Sequence, residues 1–345
     1  MDIQTAKQIF DAHKKERKIN MKYLIVKAEN KHVEEAVGLF KNVMKEIRDM
    51  NSLIPDLQQD EQIKNMIREL FQCNASYIAF ENEKMVGYLA GYPIQNEFFS
   101  LSKGVFIPLY GHGTAKKDRE KIYQNLYSFA SGEWVKDGLI TQLITTFSDD
   151  KVCMKTWMLM GFGNRCCDAV KDVEPIGAKL PENIVIRKAE QEDIPLLAEL
   201  CYQDSQHYRN APTFMTGDEE TMEECIAGFS EWYSENNRHV WIAFEGETPV
   251  GYMRISEEGE SFISHSPEMM NITGAFVNPD YRGKGIADSL LENILAWIKE
   301  NGYSLCGVDF ESINIPGSNF WNKYFTTYTY SMVRSIDDRI LDEEK

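Results

Sequence analysis

Between Tyr281 and Ala287 the chain reads Tyr-Arg-Gly-Lys-Gly-Ile-Ala, with two glycines set among two cations just ahead of an apolar helical stripe. Glycines at that spacing let a backbone approach an anion closely, the N–H groups of a helix's first turn point at it, and the positive end of the helix dipole adds attraction. Arg282 and Lys284 add full charges. The chemistry on offer is the binding of a phosphate or pyrophosphate. The spacing matches neither the phosphate loop GxxxxGK[ST] nor the dinucleotide fingerprint GxGxxG, so neither nucleotide fold is expected.

The elements around the loop must hold it at a strand-to-helix junction. Thr273–Val277 reads as a buried strand that Asn278-Pro279 ends. The helix is marked by Ile286, Leu290, Ile294 and Trp297/Ile298 on one stripe, widened by Ala287 and Leu291, with Asn301-Gly302 as its stop.

The chain also contains itself twice. Ile78–Tyr88, IAFENEKMVGY, and Ile242–Tyr252, IAFEGETPVGY, agree at 8 of 11 positions with an offset of 164. The same offset pairs Asp150 with Asn314, Trp157 with Trp321 and Gly138 with Gly302, and one of 163 pairs Trp134 with Trp297. Earlier, VKAENKHV (Val26–Val33) matches RKAEQEDI (Arg187–Ile194) at an offset of 161. Each copy reads as a strand (Tyr23–Lys27; Ile184–Arg187), helices, and a strand pair joined by a polar turn (Asn82–Glu83; Gly246–Glu247). A further strand, a long helix, a strand, a short helix and closing strands follow. The expected fold class is α+β, two tandem domains each with a central mixed sheet flanked by helices. The expected boundaries are a helical extension over 1–20, a first domain over 21–178 and a second over 179–345, joined by the short segment around Leu180–Glu182.

Composition narrows the partners. The 345 residues carry 37 Lys and Arg against 54 Asp and Glu, a formal charge of −17, which disfavours nucleic acid. The imbalance lies wholly in residues 179–345, with 13 basic and 30 acidic side chains, while residues 1–178 carry 24 of each. No window of about 18 apolar residues occurs and the first residues lack a signal-peptide core, so neither membrane nor export is expected. The seven cysteines form no CxxC pair, and adjacent Cys166 and Cys167 have no metal-ligand spacing around them; a reducing cytoplasm is the expected location and no metal the expected cofactor state.

With the loop in this setting, VNPDYRGKGIA (277–287) resembles motif A of the GNAT N-acetyltransferase superfamily, whose signature [QR]-x-x-G-x-[GA] is met by Arg282, Gly285 and Ala287. The flanks agree: Val277-Asn278-Pro279 before the loop, Asn314 after the next strand, then the aromatic stretch Phe320-Trp321-Asn322-Lys323-Tyr324. The resemblance covers about residues 184–336. It implies that backbone amides along Arg282, Gly283, Lys284, Gly285, Ile286 and Ala287 bind the pyrophosphate of acetyl-CoA. It further implies that the edge at Phe276 and Val277 pairs with the pantetheine arm, and that Asn314 contacts the pantetheine or cysteamine region. The first copy resembles the same family through Thr156–Gly163, TWMLMGFG, but Leu109–Arg119 carries no R-x-x-G-x-[GA] match. A folded, CoA-free partner domain is expected there, with His112 structural.

The implied function is transfer of an acetyl group from acetyl-CoA to an amine of a small, cationic molecule by direct attack on the thioester. A non-catalytic acyl-CoA sensor is the alternative. The amine, with a pKa near 10.4, must lose a proton before it attacks, and backbone N–H groups around Ala275–Val277 could polarise the acetyl carbonyl. The family's usual Tyr acid is replaced by Trp321, so Tyr324, one helical turn on, is the candidate acid, with Tyr328 and Tyr330 on the following strand as alternatives. Glu257, His265, Glu268 and Glu311 near strand ends are the candidate bases. The acidic, amphipathic stretch Asp218–Glu235 is a candidate wall of the acceptor cleft. Nothing in the sequence indicates an oligomer.

Overall fold

The computed structural model describes residues 22–56, 60–96, 102–215 and 221–341. The expected extension over 1–20 lies outside them. Contacts divide the chain into two units: residues up to 52, 56–165 and from 329 onward form the first, and 53–55 with 166–328 form the second.

In the first unit, β1 (Leu24–Lys27), β2 (Tyr77–Glu81), β3 (Lys84–Leu89) and β6 (His112–Thr114) form one antiparallel ladder. Alongside, β4 (Tyr92–Ile94) pairs with β5 (Lys103–Ile107), which runs parallel to β7 (Leu139–Phe147). Helices α1 (Val33–Met50), α2 (Asp60–Gln72), α3 (Arg119–Lys136) and α4 (Lys151–Leu159) complete the unit. The α3 face carrying Tyr123, Tyr127, Ala130 and Trp134 packs into an aromatic core with Trp157 and Phe162. Tyr127 meets Trp157 and Phe162 edge to face, which the ring quadrupole favours.

The second unit repeats this plan. Helices α5 (Ile194–Arg209) and α6 (Met222–Ser234) follow β9 (Ile184–Lys188), and the antiparallel order β9–β10 (His239–Glu245)–β11 (Thr248–Ser256)–β12 (Met269–Val277) is joined in parallel by β13 (Leu305–Glu311). Helix α7 (Ile286–Glu300) connects β12 to β13, and α8 (Ile315–Tyr324) follows β13. These are mixed sheets with helices, as the α+β expectation holds.

The duplication survives in detail. The β2–β3 hairpin shifts register between Ala79 and Phe80 and the β10–β11 hairpin between Ala243 and Phe244, the same bulge in each copy. Glu29 and His32 form a capping box, as do Glu190 and Asp193. Asp150 and Asn314 both cap helices by accepting a backbone N–H three residues on.

The compact units do not part at 178/179, where the repeat divides in sequence. Strand β8 (Gly163–Asp172) supplies residues 166–172 to the second unit, where they pair antiparallel with β13. Strand β14 (Thr326–Ser335) supplies residues 329–335 to the first, antiparallel to β7. Each copy's sheet is therefore finished by the strand that follows the other copy's short helix.

Candidate functional site

In the second unit two neighbouring strands part company. The β12–β13 ladder runs from Met269 opposite Leu305 to Ile272 opposite Val308 and stops. Beyond it β12 follows β11 as far as Val277, and β13 follows β8 as far as Glu311. A bulge at Thr273, where the register shifts between Gly274 opposite Arg254 and Ile272 opposite Ile255, turns β12 away at that point. Gly274 has its own reason to lack a side chain, since a Cβ there would lie 2.6 Å from Arg254 Nε. Arg254 itself donates to the Thr273 carbonyl at 3.2 Å and stacks on Phe229 and Trp232 of α6.

The diverging edges bound a cleft of about 800 Å³. Of the residues singled out in the sequence, Phe276, Val277, Arg282, Gly283, Gly285, Ile286, Ala287 and Asn314 line it. The structure brings these residues together around one cleft. Gly283 and Gly285 adopt left-handed φ values of +75° and +83°, which a side chain disfavours, and Gly285 is the N-cap of α7. The first rung of that helix is Ser289 N–H to Gly285 O at 3.0 Å, so the preceding N–H groups stay outside the ladder and point ahead of it. Arg282 is tethered, with Nε donating to Val277 O at 2.9 Å and its guanidinium over the Phe276 ring. Lys284 is not among the lining residues; its ammonium sits 4.5 Å from the Tyr281 ring centroid.

Asn314 holds the far side. Its amide oxygen takes Gly317 N–H at 3.5 Å and His207 Nε2 at 3.3 Å, and its amide nitrogen donates to the Tyr208 hydroxyl at 3.2 Å. Tyr324 is placed differently from the expectation for an acid. It is not among the lining residues, and its hydroxyl donates to Asp288 in the first turn of α7. Burial pulls Asp288 upward, yet the Tyr324 hydroxyl and the Lys323 ammonium at 3.0 Å outweigh it and hold the carboxyl below its ordinary range. Burial and that carboxylate raise Tyr324.

Of the candidate bases only Glu311 reaches the cleft, where the Cys166 thiol donates to it at 3.2 Å. Glu257 instead accepts the Tyr303 hydroxyl at 2.6 Å, His265 is bonded to Gly259 O at 2.9 Å, and neither these nor Glu268 is among the lining residues. No described residue of α6 lines the cleft either; Asp218, Glu219 and Glu220 lie outside the described residues. Besides Asp288, which also lines it, sequence reasoning missed two further carboxylates there, Asp204 on α5 and Asp309 on β13. Burial pushes each up to about 7, for Asp204 against the pull of Arg254 and Arg282, for Asp309 with the push of Glu260, Asp168 and Glu311. A signal was present for the first: the apolar face of α5, Leu197 with Cys201, continues one turn on as Asp204, Ser205 and Tyr208.

In the first unit His112 is fully engaged. Its Nε2 donates to Thr145 O at 2.9 Å, so Nδ1 accepts from the Tyr123 hydroxyl at 2.9 Å, and burial lowers its pKa to about 4. It is a neutral core histidine. Among the described residues no group of His, Cys, Asp and Glu is placed to hold a metal ion, and no helix is long and apolar enough to cross a membrane.

Residues 202–325, within the second unit, match the model of the acetyltransferase (GNAT) family. Among solved structures, a GCN5-related N-acetyltransferase from Sphaerobacter thermophilus aligns over 92% of this chain and 96% of its own, at 11% identity and TM-score 0.59. The glucosamine N-acetyltransferase region of a fungal multi-domain GH3 beta-N-acetylglucosaminidase aligns over 90% of this chain and 38% of that one, at 13% identity and TM-score 0.52. At those identities the likeness is one of fold. A search of curated protein sequences finds no match. The chemistry general to the family is acyl transfer from acyl-CoA to an amine.

Proposed function

We propose that the second unit transfers an acetyl group from acetyl-CoA to an amine of a small, cationic molecule by direct attack on the thioester. The observation that carries this reading is the cleft between the parted strands β12 and β13, which runs to the left-handed glycines 283 and 285 at the start of α7. The residues fit the ligand. A pyrophosphate suits the N–H groups from Arg282 to Ala287 with the Arg282 guanidinium beside them. The β12 edge at Phe276 and Val277, free of β13 there, suits an extended arm carrying amide groups, and Asn314 offers polar atoms on the opposite side. When bound, acetyl-CoA supplies an acyl group on a thiol-like leaving group of pKa about 8.5.

The protein's part is to orient, to desolvate and to move protons. Backbone N–H groups along Ala275–Val277 are suited to the developing oxyanion, and the lining carboxylates to the proton of the incoming ammonium. Because the leaving thiolate is only weakly basic near neutrality, Tyr324 acts at most through Asp288, its hydroxyl partner. A second reading, an acyl-CoA sensor without turnover, is favoured by one observation, the buried Trp321 where the family's tyrosine acid is expected.

The test is release of thiol from acetyl-CoA in the presence of an amine library. Turnover is expected, and Gly285→Glu is expected to abolish both turnover and acetyl-CoA binding while the fold persists, by placing a carboxylate at the anion site. Tight acetyl-CoA binding with no turnover on any amine leaves the sensor reading in its place.

A further inference from the structure

We infer that the acceptor end of the cleft is built for a dication, an amine substrate with a second positive charge beyond the reacting nitrogen, the two charges being met by Asp204 and Asp309. This rests on the acyl-transfer reading and adds the substrate class to it.

Asp204 comes from α5 and Asp309 from β13, so a helix and the sheet both present carboxylates to the same cleft, beside Glu311 and Asp288. Neither Asp204 nor Asp309 has a hydrogen bond to another described residue; Asp309 has one only to its own backbone. Both are half-buried, and carboxylates drawn out of water are ordinarily paired or hydrogen-bonded, because desolvating an unpaired charge is costly. The cations lining the cleft hydrogen-bond to neither acid, although Arg254 and Arg282 favour the charged form of Asp204 from a distance. Arg254 is held by Thr273 O and the Trp232 and Phe229 rings, Arg282 by Val277 O, and Lys323 by Asp288. The hydroxyl of Tyr208 marks where the acids converge, since burial first and then Asp204, Glu311 and Asp309 raise it to about 12. A neutral acceptor leaves both carboxylates without a contacting cation, and a monoamine leaves one so. A dication restores the charged form of each and recovers the desolvation cost as two charge-assisted contacts.

The two sites differ in role. Asp309 is the first residue of β13 beyond the last β12–β13 pair, at the point where the strands part, and so stands at the reacting end. There the ammonium R–NH3+ gives one proton to the Asp309 carboxylate. The nitrogen lone pair forms the new C–N bond at the thioester carbonyl, the C–S bond breaks with its electron pair going to sulfur, and the second proton leaving nitrogen neutralises the thiolate. Asp309 then returns its proton to water. Asp204 holds the second cation.

The experiment uses the full chain with acetyl-CoA, reading thiol release with putrescine and cadaverine against n-butylamine and n-pentylamine. The diamines are expected to exceed the monoamines in kcat/KM by on the order of 10-fold, because the monoamine leaves a half-buried carboxylate unpaired. Asp204→Asn is expected to erase that ratio, chiefly through the diamine KM. Asp309→Asn is expected to lower kcat for every amine and to remove the rise in rate as pH passes upward through neutrality. Asp309 sits in that titration among Glu260, Asp168 and Glu311 with Tyr208 facing it, so the variant must remove the limb for the assignment to stand. Calorimetry with acetyl-CoA checks that both variants keep the donor site. Equal kcat/KM for diamines and monoamines, or a preference that survives Asp204→Asn, overturns the inference and leaves acyl transfer standing. Acetyl-CoA binding without turnover of any amine removes both.

Discussion

The two units begin their long helices in opposite ways. In the first, Asp118 caps α3 in a left-handed conformation, φ 59°, and its carboxylate takes the Lys22 ammonium at 2.7 Å. The next residue, Arg119, reaches Asp150 at 2.7 Å and Glu46 at 3.3 Å, in a pair whose Arg119 and Asp150 side chains are only 10% and 4% exposed. In the second, Gly285 opens α7, and a Cβ there would meet nothing closer than Lys179 O at 4.0 Å. The caps of the short helices follow suit. Asp150 is a carboxylate that binds Arg119, whereas Asn314 is an amide bonded to His207 and Tyr208 at the cleft. On the proposed reading, one scaffold leaves a helix start open to an outside anion or fills its surroundings with its own ion pairs, according to a handful of side chains. The neighbouring strand agrees: the first unit breaks it into β5 and β6 around Leu109–Gly111, while the second keeps β12 whole with one bulge.

The largest effect should come from cutting the chain where the repeat divides. A fragment of residues 179–345 lacks the strand that pairs with β13 and carries one with no β7 to pair with, so it should show no cooperative unfolding in circular dichroism. A fragment of residues 166–328 should show one. The reverse result would mean that the exchange of strands does not define the units.

Next, Arg119→Met strands the Asp150 carboxylate in the first unit. Breaking one partner of a buried pair costs about 3–5 kcal/mol, measurable by denaturant unfolding, and acetyl-CoA affinity should stay as it was. A matching loss of affinity would tie the donor site to the first unit.

Acid should also act on the first unit. His112 has a folded pKa of about 4, below its unfolded value near 6.5, so between those values the unfolded chain binds the extra proton. Stability from this group is whole above pH 6.5 and falls as pH drops toward 4, by roughly 3 kcal/mol in all. His112→Gln should flatten that part of the stability profile; an unchanged slope would mean that other groups carry it.

The smallest effect is Tyr324→Phe, expected to lower kcat by no more than about threefold. A general acid contributes about 100-fold or more, so a loss of that size would make Tyr324 the acid after all.

Much of this was legible in the residues. The duplication showed because identities such as those at Ile78–Tyr88 and Ile242–Tyr252 follow from local hairpin geometry, and the shared bulge is their structural counterpart. The loop at 281–287 showed because positive φ favours glycine, a preference written in the sequence itself. The exchange of β8 and β14 did not show. Both strands follow a short helix in equivalent places, and nothing in an alternating pattern says which sheet edge a strand joins. Asp204 and Asp309 escaped for a related reason: their burial is set by elements far apart in sequence, so each looked like one more acid in an acidic half.

Stoichiometry tests the contrast between the units most directly. Calorimetric titration of the full chain with acetyl-CoA should give one site per chain, and Gly285→Glu should remove it. Two sites, or one that persists in Gly285→Glu, would contradict the assignment of the donor site to the start of α7.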